Sequence, residues 1–415
     1  MTDLATPVAT RTKGLGRVMA GFFGVQLFVN IANGGAANSL VPNLIARLEP
    51  DDKVAVLGLI GAVAAVAAVV TQPLWGVLSD RTRSRLGRRV PWILAGVVGL
   101  ALSILGLATV GSVVLILGAA VLVSSFYSMI SGPISAIVPD RAPVSRRGLF
   151  SALGSLGIFV GGLIGVVIAS QFVSTIPVGF LVLAVILLVG GVPLAFALRD
   201  RERSDAPAPR ERVSWADTLR SFFVNPRQHP DFFWAFVARL VLIVGYWSIV
   251  SFQLYILDDY IGLGLDKANE LFPLTTAVLG LGIIVALVPS GLLSDRIGRR
   301  KPFVIVASFV VAVSAVVPIL WPTVPGAITS VGLGGLGIGI YLAVDQALMT
   351  QVLPNKADAG KDLGVLNIAQ AGGQIVAPLV ASLVIGFAGY AALYGFAAVM
   401  AALAALAILP IKSVR

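Results

Sequence analysis

Twelve long apolar segments constrain this chain more than any other feature of its sequence. They lie near residues 18–41, 54–78, 91–111, 113–138, 149–170 and 176–198 in the first half, and near 231–257, 269–293, 302–321, 325–353, 363–386 and 388–410 in the second. Each is close to the roughly 20 residues that a helix needs to cross a bilayer. Because 57% of the residues are hydrophobic and only 12% are charged, the sequence predicts an all-α membrane protein and excludes a soluble enzyme.

The basic residues fall almost entirely on one side of these segments. An even number of spans puts both termini on the same side, and that side holds 26 of the 30 Lys and Arg residues. Positive charge concentrates on the cytoplasmic side of membrane proteins, so we expect a multi-pass protein of the cell membrane with both termini cytoplasmic. The net charge of +10 then needs no nucleic acid. The expected partners are the lipid bilayer and a small-molecule substrate, and a monomer is the expected state.

One long polar connection, residues 199–230, divides the spans into two sets of six. It separates a predicted N-terminal bundle, 1–198, from a predicted C-terminal bundle, 231–415. Within it, Ser214 and Asp217 resemble a helix capping box and precede apolar residues that share one helical face. A short amphipathic helix on the cytoplasmic membrane surface is expected there, either as a simple spacer or with a regulatory role.

A short motif occurs once in each half, after the second span and after the eighth. The first copy reads GVLSDRTRSRLGRR over 76–89, and the second reads GLLSDRIGRR over 291–300. Asp80 and Asp295 are 215 residues apart, and so are Pro139 and Pro354, which follow the fourth and tenth spans. Two landmarks with the same offset indicate a duplicated six-helix unit.

The paired motif, G-x-L-S-D-R followed by G-R-R, resembles the loop signature of the major facilitator superfamily. The longer first copy with its continuation, DRTRSRLGRRVPW over 80–92, and the stretch GVLN at 364–367 are similar to glycoside/cation and sucrose/proton symporters. The resemblance implies a major facilitator fold, in which twelve transmembrane helices form two pseudo-symmetric bundles of six around a central cavity. It also implies transport by alternating access.

In that family, the carboxylate of the first motif is thought to lock the cytoplasmic gate by meeting the start of the eleventh helix and nearby arginines. The resemblance implies this role for Asp80, with Asp362 at the helix start and Arg141 as a bridging arginine. Anchoring of the topology is the simpler interpretation of the motif's arginines. The predicted gate residues are Gly76, Asp80, Arg81, Arg85, Gly87, Arg88, Arg141, Asp295, Arg296, Arg299 and Asp362.

Polar side chains recur along one face of several predicted spans. Such groups are costly in a bilayer unless they pair or face water, so they predict a substrate cavity. Close helix packing is the alternative, above all for the serines. The resemblance implies that spans one, four, seven and ten line the cavity. The predicted cavity residues are Gln26, Asn30, Asn33, Ser124, Tyr127, Ser128, Ser131, Tyr246, Trp247, Gln253, Tyr341, Asn367, Gln370 and Gln374.

Two charged residues lie deep inside predicted spans, Arg239 in the seventh and Asp345 in the tenth. Arg239 follows Asp231 by eight residues and Asp345 precedes Pro354 by nine, so each lies about 12 to 13 Å from the cytoplasmic end of its helix. The sequence therefore predicts that the two can pair. Either the pair is purely structural, or Asp345 takes up a proton and frees Arg239 during transport.

No metal or cofactor is expected. The chain has no Cys and a single His, which excludes Cys-based sites and most His-based sites. Melibiose-type symporters bind their cation with carboxylates in the second and fourth spans, whereas those spans contain no Asp or Glu here. We therefore expect a proton as the coupling ion rather than sodium, with Asp345 as the main candidate. Asp258 and Asp259, at the outer end of span seven, are interpreted as solvent-exposed charges.

The favoured function is proton-coupled transport of a small polar organic solute, with a sugar or glycoside as the class that the resemblance implies. A proton-driven exporter of drugs or of a secreted metabolite is the alternative within transport. A non-transporting membrane receptor on the same fold is the alternative from another class. A membrane enzyme is less favoured, because no His/Ser arrangement and no facing pair of aspartates occurs.

Overall fold

A computed structural model of the chain describes residues 15–143, 146–199, 229–352 and 359–411, with the backbone alone at 139, 346, 347, 350 and 359–368. Eleven helical stretches in these ranges are long and apolar enough to cross a membrane, and the last of them consists of two helices. The regular secondary structure in the described ranges is entirely helical. The predicted linker helix with Ser214 and Asp217 lies outside them.

Six helices, α1 to α6, form the first half. They span Leu15–Leu48, Lys53–Arg81, Val90–Leu107, Val113–Arg141, Arg147–Ser170 and Ile176–Ala197. Within α1 and α6, five-residue π-helical stretches cover Ala36–Leu40 and Leu187–Gly191, and Pro42 and Pro193 follow shortly after them. Proline lacks the N–H that an α-helix needs and crowds the preceding turn. The turns of a π-helix are wider, so each helix continues past its proline.

The second half contains α7 to α12. Its first four helices span Pro230–Ser251, Leu265–Ile297, Lys301–Leu320 and Val324–Gln351. A short helical segment follows α7, formed by Gln253–Tyr255 and the π-helical turn Ile256–Tyr260. The stretch Ala359–Ile408 is broken at Gly389, whose φ of 80° lies in the left-handed region. We call the part before this glycine α11 and the part after it α12. All twelve predicted spans are thus found as helices, and the predicted all-α fold class is confirmed.

The described residues form two compact units. One contains residues 15–37, 67–110 and 114–199, and the other contains 38–66, 111–113, 229–352 and 359–411. The end of α1 and the start of α2 therefore pack with the helices of the second half. The division of the chain into bundles of 1–198 and 231–415 stays a prediction.

Glycines set the distance between neighbouring helices in both units. In the first unit, a side chain at Gly161 in α5 would overlap the backbone carbonyl of Leu27 in α1. In the second unit, a side chain at Gly335 in α10 would overlap the carbonyl of Leu279 in α8. Close approach at small residues is how membrane helices associate without a hydrophobic driving force between them. These helix pairs therefore form a tightly packed frame for the polar residues described next.

Candidate functional site

A buried ion pair joins α7 and α10 in the second unit. Nη2 of Arg239 lies 3.0 Å from Oδ2 of Asp345, and the two side chains are only 1% and 2% exposed. The rise per residue along each helix predicted the same depth for Arg239 and Asp345, and in the structure their side chains are in contact. The same Nη2 also donates a hydrogen bond to Oε1 of Gln370 in α11. One buried cation therefore has two acceptors, and they lie on two different helices.

The surroundings of this pair are almost entirely apolar. Besides the two charged residues, the described side chains around it are Ala235, Ala238, Val304, Tyr341, Leu348, Met349 and Ile408, and they enclose a cavity of about 10 Å³. A cavity of that size has room for about one water molecule. A lone charge in such surroundings costs several kcal/mol, whereas a paired one is tolerated. The pair is therefore a condition for burying either residue here.

The structure places the predicted cavity residues of α10 and α11 in different settings. Tyr341, one helical turn before Asp345, is buried and lines the small cavity beside the ion pair. Gln370 is half-buried against Arg239. Gln374, one turn further along α11, is exposed. The side chain of Asn367 lies outside the described residues.

The predicted cavity residues of α7 are largely buried in the second unit. Tyr246 and Trp247 are in edge-to-face contact, with ring centroids 6.0 Å apart and an interplanar angle of 88°. Tyr246 belongs to the hydrophobic core of this unit, and Trp247 packs against that core. Gln253, just past the end of α7, is also buried. Tyr246 and Trp247, predicted as cavity residues, thus have a packing role in this structure.

The polar residues of α1 are bonded within the first unit. Asn30 donates from Nδ2 to the backbone oxygen of Gln26 at 2.8 Å, and its Oδ1 accepts a hydrogen bond from the Tyr127 hydroxyl at 3.3 Å. This second bond links α1 to α4. Gln26 and Asn33 are half-buried. Both oxygen and nitrogen of the Asn30 amide are therefore engaged by the protein itself.

The serines of α4 bond to their own helix. Ser131 donates to the backbone oxygen of Ser128 at 3.4 Å, and Ser135 donates to that of Ser131 at 2.7 Å. Ser128 is buried, and Ser124 is half-buried. A hydroxyl that bonds the preceding turn is satisfied without water or substrate. For Ser131 and Ser135 the geometry favours the packing interpretation over a substrate contact.

The first copy of the loop motif carries a network of charges. Asp80 accepts from Nη2 of Arg89 at 2.9 Å, and Arg89 also donates from Nη1 to the hydroxyl of Ser79 at 2.9 Å. Asp140, at the end of α4, contacts Arg88 at 2.7 Å and Arg89 at 3.2 Å. The gate residues predicted from sequence included neither Arg89 nor Asp140. The sequence did offer a sign of Asp140, because this acidic residue directly follows Pro139, one of the two prolines that are 215 residues apart.

The second copy repeats the core of this arrangement. Arg300 pairs with Asp295 and donates to the Ser294 hydroxyl at 3.1 Å. In both copies, the last arginine of the motif therefore returns to the Ser-Asp pair at the end of the preceding helix. The glycine of each motif makes this return possible, because Gly87 and Gly298 adopt φ values of 94° and 67°, which residues with a side chain rarely adopt. The equivalent contacts support the duplicated unit.

The other predicted gate residues have separate positions. Arg141 donates from Nη1 to the backbone oxygen of Leu198 at 2.6 Å, just past the end of α6, where a cation complements the helix's negative end. Its bridge to Asp80 stays a prediction, and the side chain of Asp362 lies outside the described residues. Gly76 lies on α2 without close neighbours for an added side chain. The exposed members of the predicted gate are Arg81, Arg85, Asp295, Arg296 and Arg299.

A further charged cluster lies in the second unit, where α2 begins and α7 ends. Nζ of Lys53 is 2.7 Å from both Asp258 and Asp259, and it lies 5.1 Å from the ring centre of Tyr255. The hydroxyl of Tyr390 donates to Asp259 at 2.6 Å. The interpretation as a solvent-exposed charge is therefore wrong for Asp258, whereas Asp259 is exposed although it is paired with Lys53. Asp258 is 12% exposed, and its cationic partner lies about half the chain away in sequence.

Two uncharged contacts reinforce this junction. Asn43 and Asn269 exchange hydrogen bonds of 2.8 and 2.7 Å between their amides, and both side chains are buried. The hydroxyl of Tyr255 donates to the backbone oxygen of Pro42 at 2.8 Å. Together with the Lys53 cluster, these bonds tie residues 38–66 to the end of α7 and the start of α8.

Comparison with known proteins agrees with this architecture. The Major Facilitator Superfamily profile matches residues 23–273 and 267–414. The multidrug resistance protein MdtG of Enterobacter lignolyticus is 26% identical over 348 residues, which cover 82% of this chain and 77% of that protein. The multi-drug resistance efflux pump PmrA of Streptococcus pneumoniae is 25% identical over 356 residues, covering 81% of each chain.

Among solved structures, a bacterial homologue of the human lysosomal transporter Spinster, in an inward-facing and occupied conformation, superposes with a TM-score of 0.70. The two chains are 16% identical, and the match covers 94% of this chain and 96% of the other. This likeness concerns the fold. Because the family profile covers nearly the whole chain, the protein belongs to the Major Facilitator Superfamily and is a multi-pass membrane transporter rather than an enzyme.

Proposed function

We propose that this transporter is a proton-driven exporter of drugs or similar amphipathic organic compounds. The observation that carries the proposal is the similarity to two multidrug resistance proteins over about four fifths of the chain. The sequence motifs alone favoured sugar uptake, with export as the alternative. The similarity to multidrug resistance proteins favours export over sugar uptake.

The polar residues of the first unit support the same choice. Sugar recognition needs several polar groups that are free to bond hydroxyls of the substrate. Asn30, Ser131 and Ser135 already bond to other groups of the protein. Amphipathic compounds bind mainly through apolar contacts, so they need fewer free hydrogen-bonding groups in the protein.

The Arg239–Asp345 pair is the proposed site of proton coupling. Both charged side chains lie in transmembrane helices and are almost completely buried. Protonation of Asp345 removes its charge and weakens its hold on Arg239, so the pair has two states that differ by one proton. In an exporter, the protonated state forms from the outer side and the proton is released to the cytoplasm.

The orientation of the chain follows from its basic residues. With 26 of 30 Lys and Arg residues on the side of the termini, we place both termini and both copies of the loop motif in the cytoplasm. Asp80 then stands at the cytoplasmic end of α2, bound to Arg89. We retain a gating role for this carboxylate as part of the proposal.

The test is ethidium export from bacterial cells that lack their main efflux pumps. Cells producing the protein should accumulate less ethidium than cells with an empty vector, and a protonophore should abolish the difference. Asp345→Asn should also abolish it at equal protein level in the membrane. Asp51→Asn is the matched control, because that carboxylate is exposed in the turn between α1 and α2 and should leave export intact.

Two results would overturn the proposal. One is unchanged accumulation of ethidium and of a panel of amphipathic drugs, together with counterflow of a radiolabelled sugar in proteoliposomes, which would favour uptake. The other is thermal stabilisation by a solute without any counterflow, which would favour a receptor.

A further inference from the structure

We propose that Gln370 is a positioning residue that holds Arg239 in place whenever Asp345 carries a proton. The inference rests on the proposed proton coupling at Asp345, but it concerns a residue that such coupling does not by itself require. Gln370 lies on α11, whereas Asp345 lies on α10. The two acceptors therefore connect Arg239 of α7 to two different neighbours.

The geometry at Arg239 gives the guanidinium two acceptors at once. A single nitrogen, Nη2, contacts Oδ2 of Asp345 at 3.0 Å and also donates to Oε1 of Gln370. A proton on Asp345 weakens the first contact, whereas an amide oxygen does not titrate and keeps its strength. Because Arg239 is 1% exposed and its guanidinium stays charged at all relevant pH values, it cannot turn to bulk water. Gln370 is then its strongest remaining acceptor.

Backbone packing fixes Gln370 beside Arg239. Contacts between α7 and α11 occur at three successive levels, Arg239 with Gln370, Ile243 with Gly373, and Ser248 with Ala377. The sequence separations stay nearly constant along these levels, so the two helices run in the same direction. At the middle level, a Cβ on Gly373 would lie 2.7 Å from Ile243, so only glycine permits this approach. The amide is thus presented to Arg239 by the helix itself.

The remaining surroundings offer no competing charge among the described residues. Apart from Arg239, α7 contributes two alanines to the lining of the site, and α10 contributes Tyr341, Leu348 and Met349 besides Asp345. The lining residues from α9 and α12 are the apolar Val304 and Ile408. Gln370 is the described contribution of α11. Tyr341 also acts on the Asp345 carboxylate, but a change at Gln370 leaves both Tyr341 and the buried position of Asp345 in place. A shift of the titration in the Gln370 variants therefore reports how Arg239 is held.

The consequence is a change in which helices are tied together. With Asp345 ionised, Arg239 connects α7 to both α10 and α11. With Asp345 protonated, the link to α10 weakens and the link to α11 remains. The proton thereby loosens α10 selectively, without leaving an unpaired cation in the protein interior.

The experiment follows the proton on Asp345 directly. Purified protein in lipid is titrated while infrared difference spectra record the C=O stretch of protonated carboxyl groups, and the band of Asp345 is identified by its loss in Asp345→Asn. The variants are Gln370→Met, which keeps the side-chain length but removes the acceptor, and Gln370→Glu, which supplies a charged acceptor. Gln374→Met, on the exposed position one turn along α11, is the matched control.

The two Gln370 variants should shift the titration in opposite directions. Gln370→Met leaves Arg239 poorly held in the protonated state, so half-protonation should move to lower pH by about one to two units, the equivalent of one hydrogen bond to a charged group. Gln370→Glu holds Arg239 more strongly in that state and should move it to higher pH. Gln374→Met should leave it unchanged. Gln370→Glu is nearly isosteric with the natural residue and keeps the test informative if Gln370→Met does not fold.

The outcomes separate this inference from the proposed function. A titrating Asp345 band that does not move to lower pH in Gln370→Met, or a Gln370→Glu band that does not move to higher pH, overturns the role of Gln370 and leaves proton coupling intact. If Asp345→Asn removes no band, neither proton coupling at this residue nor the role of Gln370 stands. Because no substrate is needed, a failure of ethidium export does not affect the result.

Discussion

Removing one partner of the Arg239–Asp345 pair should destabilise the protein far more than removing both. The side chains are 1% and 2% exposed, so the cost of a broken buried pair applies with little screening by solvent. We expect about 3 to 5 kcal/mol for Arg239→Met or for Asp345→Leu alone, and a double variant close to the wild type. The coupling energy of this double-mutant cycle should therefore exceed about 3 kcal/mol.

The two single variants should also differ in their dependence on pH. In Arg239→Met, the stranded carboxylate can take up a proton, so the loss of stability should shrink as the pH falls. In Asp345→Leu, the arginine cannot lose its charge, so the loss should persist at every pH. Gln370 still accepts from Arg239 in this variant, which should moderate the loss.

The assay is unfolding in mixed micelles with increasing sodium dodecyl sulfate, followed by tryptophan fluorescence of the six Trp residues. Thiol-reactive dyes do not report here, because the chain has no Cys. Asp295→Leu removes a largely exposed carboxylate and is the control. Additive effects of the two single substitutions, or equal pH dependence in both, would refute the reasoning.

Three further predictions concern the ends of the helices. Lys53→Met should lower the unfolding temperature at pH 7, because it removes the cation that contacts both Asp258 and Asp259. Asn43→Leu should cost about 1 to 3 kcal/mol, since it leaves Oδ1 of Asn269 buried without its hydrogen-bond donor, and the double replacement by leucine should recover most of that loss in the same unfolding assay. Asp140→Asn should lower the unfolding temperature more than Asp295→Asn, because Asp140 contacts two arginines whereas Asp295 is mostly exposed.

The twelve spans were predictable because a bilayer demands both a length and an apolar composition. The end of α1 was not. A proline at position 42 suggests a helix end, yet the π-helical stretch Ala36–Leu40 absorbs it and α1 continues to Leu48. Whether a helix breaks or widens at a proline depends on packing by other helices, which local sequence does not contain.

The ion pair and its second acceptor show the same limit at the site. Helical rise alone placed Arg239 and Asp345 at one depth, because depth is a local property of each helix. That Gln370 reaches Arg239 depends on the close approach at Gly373, which is a property of two helices. The cluster around Lys53 was missed for the same reason, since no pattern within α7 indicates that Asp258 has a partner at the start of α2.

The two halves of the duplicated chain differ in which of their equivalent positions carry a charged residue. The proline landmarks align Asp345 with Ile130 and Asp140 with Asn355. The second half thus has a carboxylate within a membrane-spanning helix where the first has a buried isoleucine, and the first half has a carboxylate at the end of its fourth span where the second has a neutral amide. None of the six predicted spans of the first half contains Asp, Glu, Lys or Arg. Among the predicted spans, carboxylates therefore occur in the second half alone. In the first half, Asp140 adds contacts to Arg88 and Arg89 beside the Asp80–Arg89 pair, whereas the residue aligned with Asp140 in the second half carries no charge.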